Sequence, residues 1–462
     1  MSATTYCIIG AGAAGLTAAK NLKQWGIPFE VIEREDDVGG NWYFGKPNSS
    51  VYRSVHMISS KRFSEYADFP ISDDRPTYLS QAQAHDYLRA YARAFGLYDH
   101  IRFNRAVEQV RPAEGGAGWD VTLDGGETRR YRGLLIANGH LWAPRFPEYP
   151  GRFDGLVLHS SQYKTPDVLR DRRVLVVGAG NSGCDIAVES CLHAARTFHS
   201  LRRGYYFWPK FMFGLPADLV YEWSLRTRAP LPLRRLFGHL FLRLCGGGDL
   251  RQYGLPRPDH KLFESHFIVN STLAYHLGHG DLTTKPDVME LRGDRVRFRD
   301  GTEETIDVIV HATGFHLLRF PFVDPRHLNW GAGGPRLYLN VFHPQDDSLF
   351  LIGLFQTSTG NWPLMDLQAQ AVARFLYSLR HAPERAAPLR ARRARADRDL
   401  CGGIRYQASP RHGIEVEHFT YRAALQRLIR DFRLTAPPPP FAAPAALTLT
   451  RPAGLPAPLT GT

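Results

Sequence analysis

This sequence of 462 residues predicts an α/β fold of two similar units, the second inserted into the first, on two observations. The spacing GxGxxG occurs twice, as GAGAAG at 10–15 and GAGNSG at 178–183, each between a short apolar run and a stretch of helical composition. A hairpin with an Asp-Gly turn, followed by an apolar strand ending in small residues and glycine, also occurs twice. Asp124-Gly125 precedes 132–139, and Asp300-Gly301 precedes 305–314. Strand, glycine turn and helix in that order build a Rossmann-like dinucleotide-binding unit with the pyrophosphate on the helix N-terminus. The expected layout is a discontinuous first domain at 1–162 and 317–435 and a second at 163–316 that carries a helical insertion at about 205–280. A Pro/Ala-rich tail at 436–462 is expected to be disordered, because its composition supports no core.

In the first unit, Tyr6, Cys7, Ile8 and Ile9 make the strand and residues 16–25 the helix. Gly10 permits the tight turn, Gly12 lets backbone approach a pyrophosphate, and Gly15 lets the helix pack close to the strand. Residues 29–32 make a second strand ending at Glu33, about twenty residues on, where a carboxylate can accept the hydroxyls of an adenosine ribose. A helix at 82–95, hairpin strands at 119–123 and 128–131, and an apolar strand at 132–139 complete the N-terminal part. A strand at 349–353 and a helix from Met365 to about Leu379 return to the same unit near the end.

The second unit repeats the pattern, with a strand at 173–177, the loop Gly178, Gly180, Asn181, Ser182 and Gly183, and a helix from Cys184. At the position equivalent to Glu33 stand Arg202 and Arg203. A guanidinium there suits the extra 2′-phosphate of NADP, so this site is expected to prefer NADPH to NADH.

The net charge of +12, from 57 basic and 45 acidic side chains, is spread along the chain and accompanies no nucleic-acid motif, so no nucleic-acid partner is expected. The five cysteines are odd in number and lack metal-site or CxxC spacing; they read as reduced thiols of a cytoplasmic protein without a metal. The first fingerprint begins almost at the start methionine, so no leader is expected, and no apolar run reaches the roughly 20 residues of a membrane span. Leu233, Leu236, Phe237, Leu240, Phe241 and Leu244 have helical spacing, with Arg234, Arg235 and Arg243 off that face. Such a face either covers a core or a channel or lies peripherally on an anionic membrane.

Between the fingerprints, Phe153-Asp154-Gly155-Leu156-Val157-Leu158-His159-Ser160-Ser161-Gln162-Tyr163 resembles the FxGxxxHxxxY/F signature of the class B flavin-containing monooxygenases of the dimethylaniline monooxygenase kind. Gly39-Gly40-Asn41-Trp42, Arg202-Arg203-Gly204, Tyr253-Gly254-Leu255-Pro256 with Pro258-Asp259-His260, Ala312-Thr313-Gly314-Phe315 and residues 360–370 extend the resemblance to about 5–430. It implies FAD in the first unit, held by Gly10, Gly12, Gly15, Glu33 and Trp42, with Ala14, Gly40, Thr313 and Gln368 as further cofactor contacts. NADPH is implied at Gly178, Gly180, Asn181, Ser182, Gly183, Arg202 and Arg203. The implied reaction is reduction of FAD by NADPH, formation of a C4a-(hydro)peroxyflavin with molecular oxygen, and transfer of one oxygen atom to a soft nitrogen or sulfur of a small amine or sulfide. His159 and Tyr163 are implied either to couple domain orientation to NADP or to be structural.

The match departs in one place. The family has Ser-Asn-x-x-Lys facing flavin and nicotinamide; here 52–61 aligns without a gap and places Met57-Ile58 before Ser59-Ser60-Lys61. His56, Ile58, Ser59, Ser60 and Lys61 are thus the candidate catalytic segment, with Ser59, Ser60 or His56 as replacement donors. Losing the amide's hydrogen bond to a charged group costs about 1.5–3 kcal/mol, or about 10- to 150-fold in rate or lifetime. The alternatives are Baeyer–Villiger oxygenation of a ketone and a non-oxygenating NADPH oxidase or redox-sensing flavoprotein. A homodimer is a further candidate assembly.

Overall fold

The computed structural model describes residues 4–437 except 117, 227–228, 246–248, 332, 395–398 and 410–411. The tail from 438 therefore lies outside the described residues. Two five-stranded parallel sheets organise the chain. In the first, the strand order is Leu349–Leu351, Gly133–Ile136, Tyr6–Ile9, Phe29–Ile32, Ile101–Arg102. In the second, it is Leu282–Lys285, Arg196–Ser200, Arg173–Val177, Val308–His311, Leu156–His159. Each glycine turn follows the central strand of its sheet. All four residues of Tyr6–Ile9 are buried, as are the last four of Arg173–Val177, because both sheet faces are covered. That is why these strands read as continuous apolar runs rather than alternating ones.

The first sheet draws strands from both ends of the chain, which makes the first unit discontinuous. The helix Trp362–His381 packs on Ala13–Gln24 and joins it through a buried polar knot. Asp366 accepts from Thr17 Oγ1 at 2.6 Å and Asn21 Nδ2 at 2.8 Å, and lies 3.1 Å from the ammonium of Lys20. Lys20 also meets Asp68 at 2.6 Å.

Three details differ from the sequence reading. Gly151–Phe153 and Leu156–His159 pair with strands of the second unit, ahead of the expected border at 163. Their short, half-exposed run carries no glycine fingerprint of its own, and strand pairing alone assigns it to the second unit. The region 205–280 is not purely helical. Phe207–Trp208 pairs with Ile268–Val269, and Phe211–Met212 with Leu215–Pro216, around the helices Ala217–Arg226, Leu231–Cys245 and Leu273–His279. Finally, Leu233, Leu236, Phe237, Leu240 and Leu244 are exposed while Phe241 packs against the cluster around Trp208 and Phe263, so most of the apolar stripe of Leu231–Cys245 does not cover a core. No helix among the described residues is long and apolar enough to cross a membrane.

Candidate functional site

Both glycine loops open on one cavity of about 970 Å³. It lies beyond the carboxyl ends of the central strands, where open α/β sheets place ligands. Gly10 has φ +101° and Gly178 φ +109°, in the left-handed half of backbone space that a side chain would strain. A Cβ on Gly15 would overlap the Gly10 carbonyl oxygen, and one on Gly183 would overlap that of Gly178. These two third glycines do not line the cavity; they let each helix approach its strand. Gly12 and Gly180 precede the helices Ala13–Gln24 and Asn181–His193, and no side chain caps either first turn. Such turns present N–H groups to an anion.

Glu33 is buried on the cavity wall, its carboxylate accepting from the N–H of Ala11 at 2.5 Å and of Glu35 at 3.0 Å. Burial pushes its pKa up, against those two hydrogen bonds. The bonds fix the carboxylate beside the glycine loop with lone pairs to spare for ribose hydroxyls. Ala14, Gly40 and Trp42 continue the wall, Trp42 standing edge-on to Trp362 at 6.1 Å. This donor and acceptor set fits a dinucleotide of the FAD type.

Across the cavity, Ser182, Arg202 and Arg203 line the second half. Arg202 is exposed and makes no ion pair among the described residues; Arg203 lies over the Tyr205 ring at 5.3 Å. A free guanidinium at the end of Arg196–Ser200 fits a ribose phosphate. Asn181 also borders the cavity, but its side chain is committed to the insertion: Oδ1 accepts from Val269 N at 2.7 Å, and Nδ2 donates to Phe267 O at 3.3 Å. Thr313 borders the cavity too and donates to the Arg145 carbonyl at 2.5 Å.

The segment from His56 divides. His56, Met57, Ile58 and Ser59 line the cavity, whereas Ser60 and Lys61 do not. Lys61 Nζ instead donates to the carbonyls of Ser72, Asp73 and Arg75 at 2.8–3.2 Å, closing the loop after its short helix. The Ser60 N–H donates to Asp218 at 2.6 Å. Ser59 Oγ shares a hydrogen bond with Ser64 Oγ at 2.9 Å. Of the three replacement donors read from the sequence, His56 is the one left exposed on the wall, with Nδ1 on the Ser54 carbonyl at 2.9 Å. Gln368 is also off the cavity. Its Oε1 accepts from Gly353 N at 2.8 Å and its Nε2 donates to Tyr421 at 2.6 Å, so it shapes the wall through Gly353.

His159 is buried between Ser161 Oγ at 2.9 Å and the Gly314 carbonyl at 3.0 Å. Tyr163 donates to Glu189 at 2.6 Å, and Ser54 donates to the same carboxylate oxygen at 2.8 Å. Tyr52 meets Asp185 at 3.2 Å. These contacts tie the loop before Ile58 to the helix Asn181–His193 of the second unit. Sequence reasoning missed Asp185, whose carboxyl burial pushes up; the 360–370 segment was legible, but not that its Asn361 stands on the wall with an Oδ1 that has no partner among the described residues. Asp185 belongs to no spaced motif.

A profile of flavin-binding monooxygenase-like proteins matches residues 3–429. The chain is 33% identical over 401 residues to dimethylaniline monooxygenase (N-oxide-forming) 2 of Macaca mulatta, covering 82% of this chain and 75% of that one. It is 32% identical over 403 residues to flavin-containing monooxygenase 1 of Homo sapiens, with the same two coverages. The fold is similar to S-allyl-L-cysteine S-oxygenase from Allium sativum, with TM-score 0.62, 22% identity, and 94% and 89% of the two chains covered. It is also similar to NADP⁺-bound cyclohexanone monooxygenase from Rhodococcus sp. Phi1, with TM-score 0.66, 19% identity, and 93% and 98% covered.

Proposed function

This chain belongs to the flavin-binding monooxygenase-like family and is a flavin monooxygenase served by FAD and NADPH, and we propose that it oxygenates a soft nitrogen or sulfur of a small organic molecule. The observation that carries this reading is the single cavity shared by two glycine loops, with Glu33 on one side and Arg202 on the other. Gly10, Gly12, Ala14, Glu33, Gly40 and Trp42 would hold FAD; Gly178, Gly180, Ser182, Arg202 and Arg203 would hold NADPH. When bound, the flavin passes reducing equivalents from NADPH to dioxygen. The chain's own residues orient the two cofactors and line the remaining space with Met57, Ile58 and Trp362, which keeps water from the reacting atoms. The names of an N-oxide-forming relative and of an S-oxygenase of like fold support nitrogen and sulfur as acceptors. Parallel turnover of a tertiary amine, a sulfide and a cyclic ketone tests it. N-oxide and sulfoxide are expected; lactone as the main product would replace this reading with Baeyer–Villiger oxygenation.

Arg202→Ala is expected to raise the KM for NADPH about 10- to 150-fold by removing a charge-assisted bond to phosphate. The KM for NADH should stay put, and an equal rise for both would remove Arg202 from the phosphate site.

Ile58 favours a second reading, in which NADPH oxidation ends in free hydrogen peroxide. On the oxygenation reading, Ile58→Asn restores an amide donor and lowers peroxide released per NADPH by about tenfold, the worth of one such hydrogen bond. Quantitative peroxide release by the unmodified enzyme, with every substrate class, would establish the oxidase instead.

A further inference from the structure

His266 and Glu415 form a buried pair at the cavity, apart from the residues that would hold either cofactor. His266 lies in the insertion, two residues before the strand Ile268–Val269, and Glu415 lies in the C-terminal segment that bridges to Gln356. They are 149 residues apart in sequence. His266 Nδ1 is 3.1 Å from Glu415 Oε1, with the two side chains 6% and 1% exposed. His266 borders the cavity and Glu415 does not. The carboxylate is placed to accept an Nδ1–H, which makes Nε2 the basic nitrogen of a residue on the cavity wall. Glu415 Oε2 has no partner among the described residues, so the carboxylate retains capacity to offset a positive charge on the ring.

The surroundings add little competing charge. The His266 N–H donates to His412 Nε2 at 3.3 Å, and Ser409 Oγ lies 2.8 Å from His412 Nδ1. Near Glu415, burial holds His140 down at about 4, Cys401 up at about 11 and Tyr406 higher still. All three are neutral at pH 7. Asp185 is a further carboxyl on the cavity wall, besides Glu33, and lies beside Asn270 and Tyr52 and near the ammonium of Lys210.

We propose that His266 is the base that deprotonates a cationic amine substrate, with Glu415 positioning the ring and offsetting the imidazolium. This rests on the nitrogen-oxygenation reading above. An alkylammonium, with a pKa near the ~10.4 of lysine, has no lone pair to offer at pH 7, whereas a sulfide always has one. The N–H bond of the ammonium breaks, its electron pair stays on nitrogen, and the proton bonds to His266 Nε2. Over one turnover, ammonium, NADPH and O2 give N-oxide, NADP⁺ and water. The ammonium's proton takes the place of the one that a neutral substrate draws from solvent.

The test uses the holoenzyme with a trialkylamine, an N,N-dialkylaniline that is neutral at pH 7, and a dialkyl sulfide. His266→Gln and Glu415→Gln should each lower kcat/KM for the trialkylamine about 100-fold at pH 7, within the range of general-base effects. The aniline and the sulfide should be unaffected. In both variants the trialkylamine kcat/KM should rise about tenfold per pH unit, following the neutral amine, while the unmodified enzyme shows a flatter profile. Nitrogen-15 NMR of histidine-labelled oxidised holoenzyme should show one imidazole Nε2 shifted by accepting a hydrogen bond from the ammonium when trialkylamine is added. That change should be absent with sulfide and absent in His266→Gln. Equal losses on all three substrates, or no imidazole shifted by the trialkylamine, would overturn the proposal. Failure of the unmodified enzyme to oxygenate any of the three would strike the oxygenation reading, and the NMR titration would still decide the role of His266.

Discussion

Asp366→Ala is expected to destabilise the protein by about 3–5 kcal/mol, the usual consequence of leaving one partner of a buried ion pair behind. Lys20 is 3% exposed and would keep only Asp68, itself 38% exposed, while Thr17, Asn21 and Gln370 would each lose an acceptor. Burial acts to raise the Asp366 pKa, but the Lys20 ammonium and these donors outweigh it and hold the carboxyl below its usual range. A depressed carboxyl stabilises the fold above the unfolded value and loses that contribution as pH falls through the folded one. The unmodified protein should therefore lose stability at acid pH more steeply than the variant does. The knot joins the N-terminal helix to the helix that returns from the far end of the chain, so its loss should loosen the first unit as a whole. Urea unfolding followed by flavin fluorescence checks this; an unchanged midpoint would show that the pair contributes nothing.

Gly183→Ala should weaken NADPH binding while leaving FAD content intact. Its Cβ would overlap a backbone oxygen that cannot swing away, so the helix Asn181–His193 must shift off its strand. Overpacking of this kind costs about 1–3 kcal/mol, or about 5- to 150-fold in affinity if it falls on the bound state. Gly15→Ala is the counterpart and should lower FAD occupancy instead. Reversal of the two phenotypes, measured by titration and by flavin absorbance, would exchange the cofactors assigned to the two units.

The glycine loops and Glu33 were legible because backbone geometry demanded those residues at fixed offsets, whatever the rest of the chain did. Arg202 was legible as a charge where the other unit has a carboxylate. Side-chain direction was not legible. Lys61 and Gln368 occupy motif positions, yet each spends its polar atoms on neighbouring protein groups rather than on the cavity. Asn181 is half-hidden for the same reason, since its amide braces the insertion. The His266–Glu415 pair had no local signal, because an insertion and a C-terminal segment meet only through the fold. The strands at 151–159 escaped because they are short, edge-placed and half-exposed, and pairing alone assigns them to the second unit.

Reducing power from the Arg202 side and oxygen chemistry on the Glu33 side are proposed to converge on a soft heteroatom in one cavity. Turnover under ¹⁸O-labelled dioxygen with NADPH and a mixture of amine and sulfide, followed by mass spectrometry, tests it most directly. One labelled oxygen atom in the N-oxide or sulfoxide is the expected result. Unlabelled substrates recovered beside a full equivalent of labelled hydrogen peroxide would contradict it.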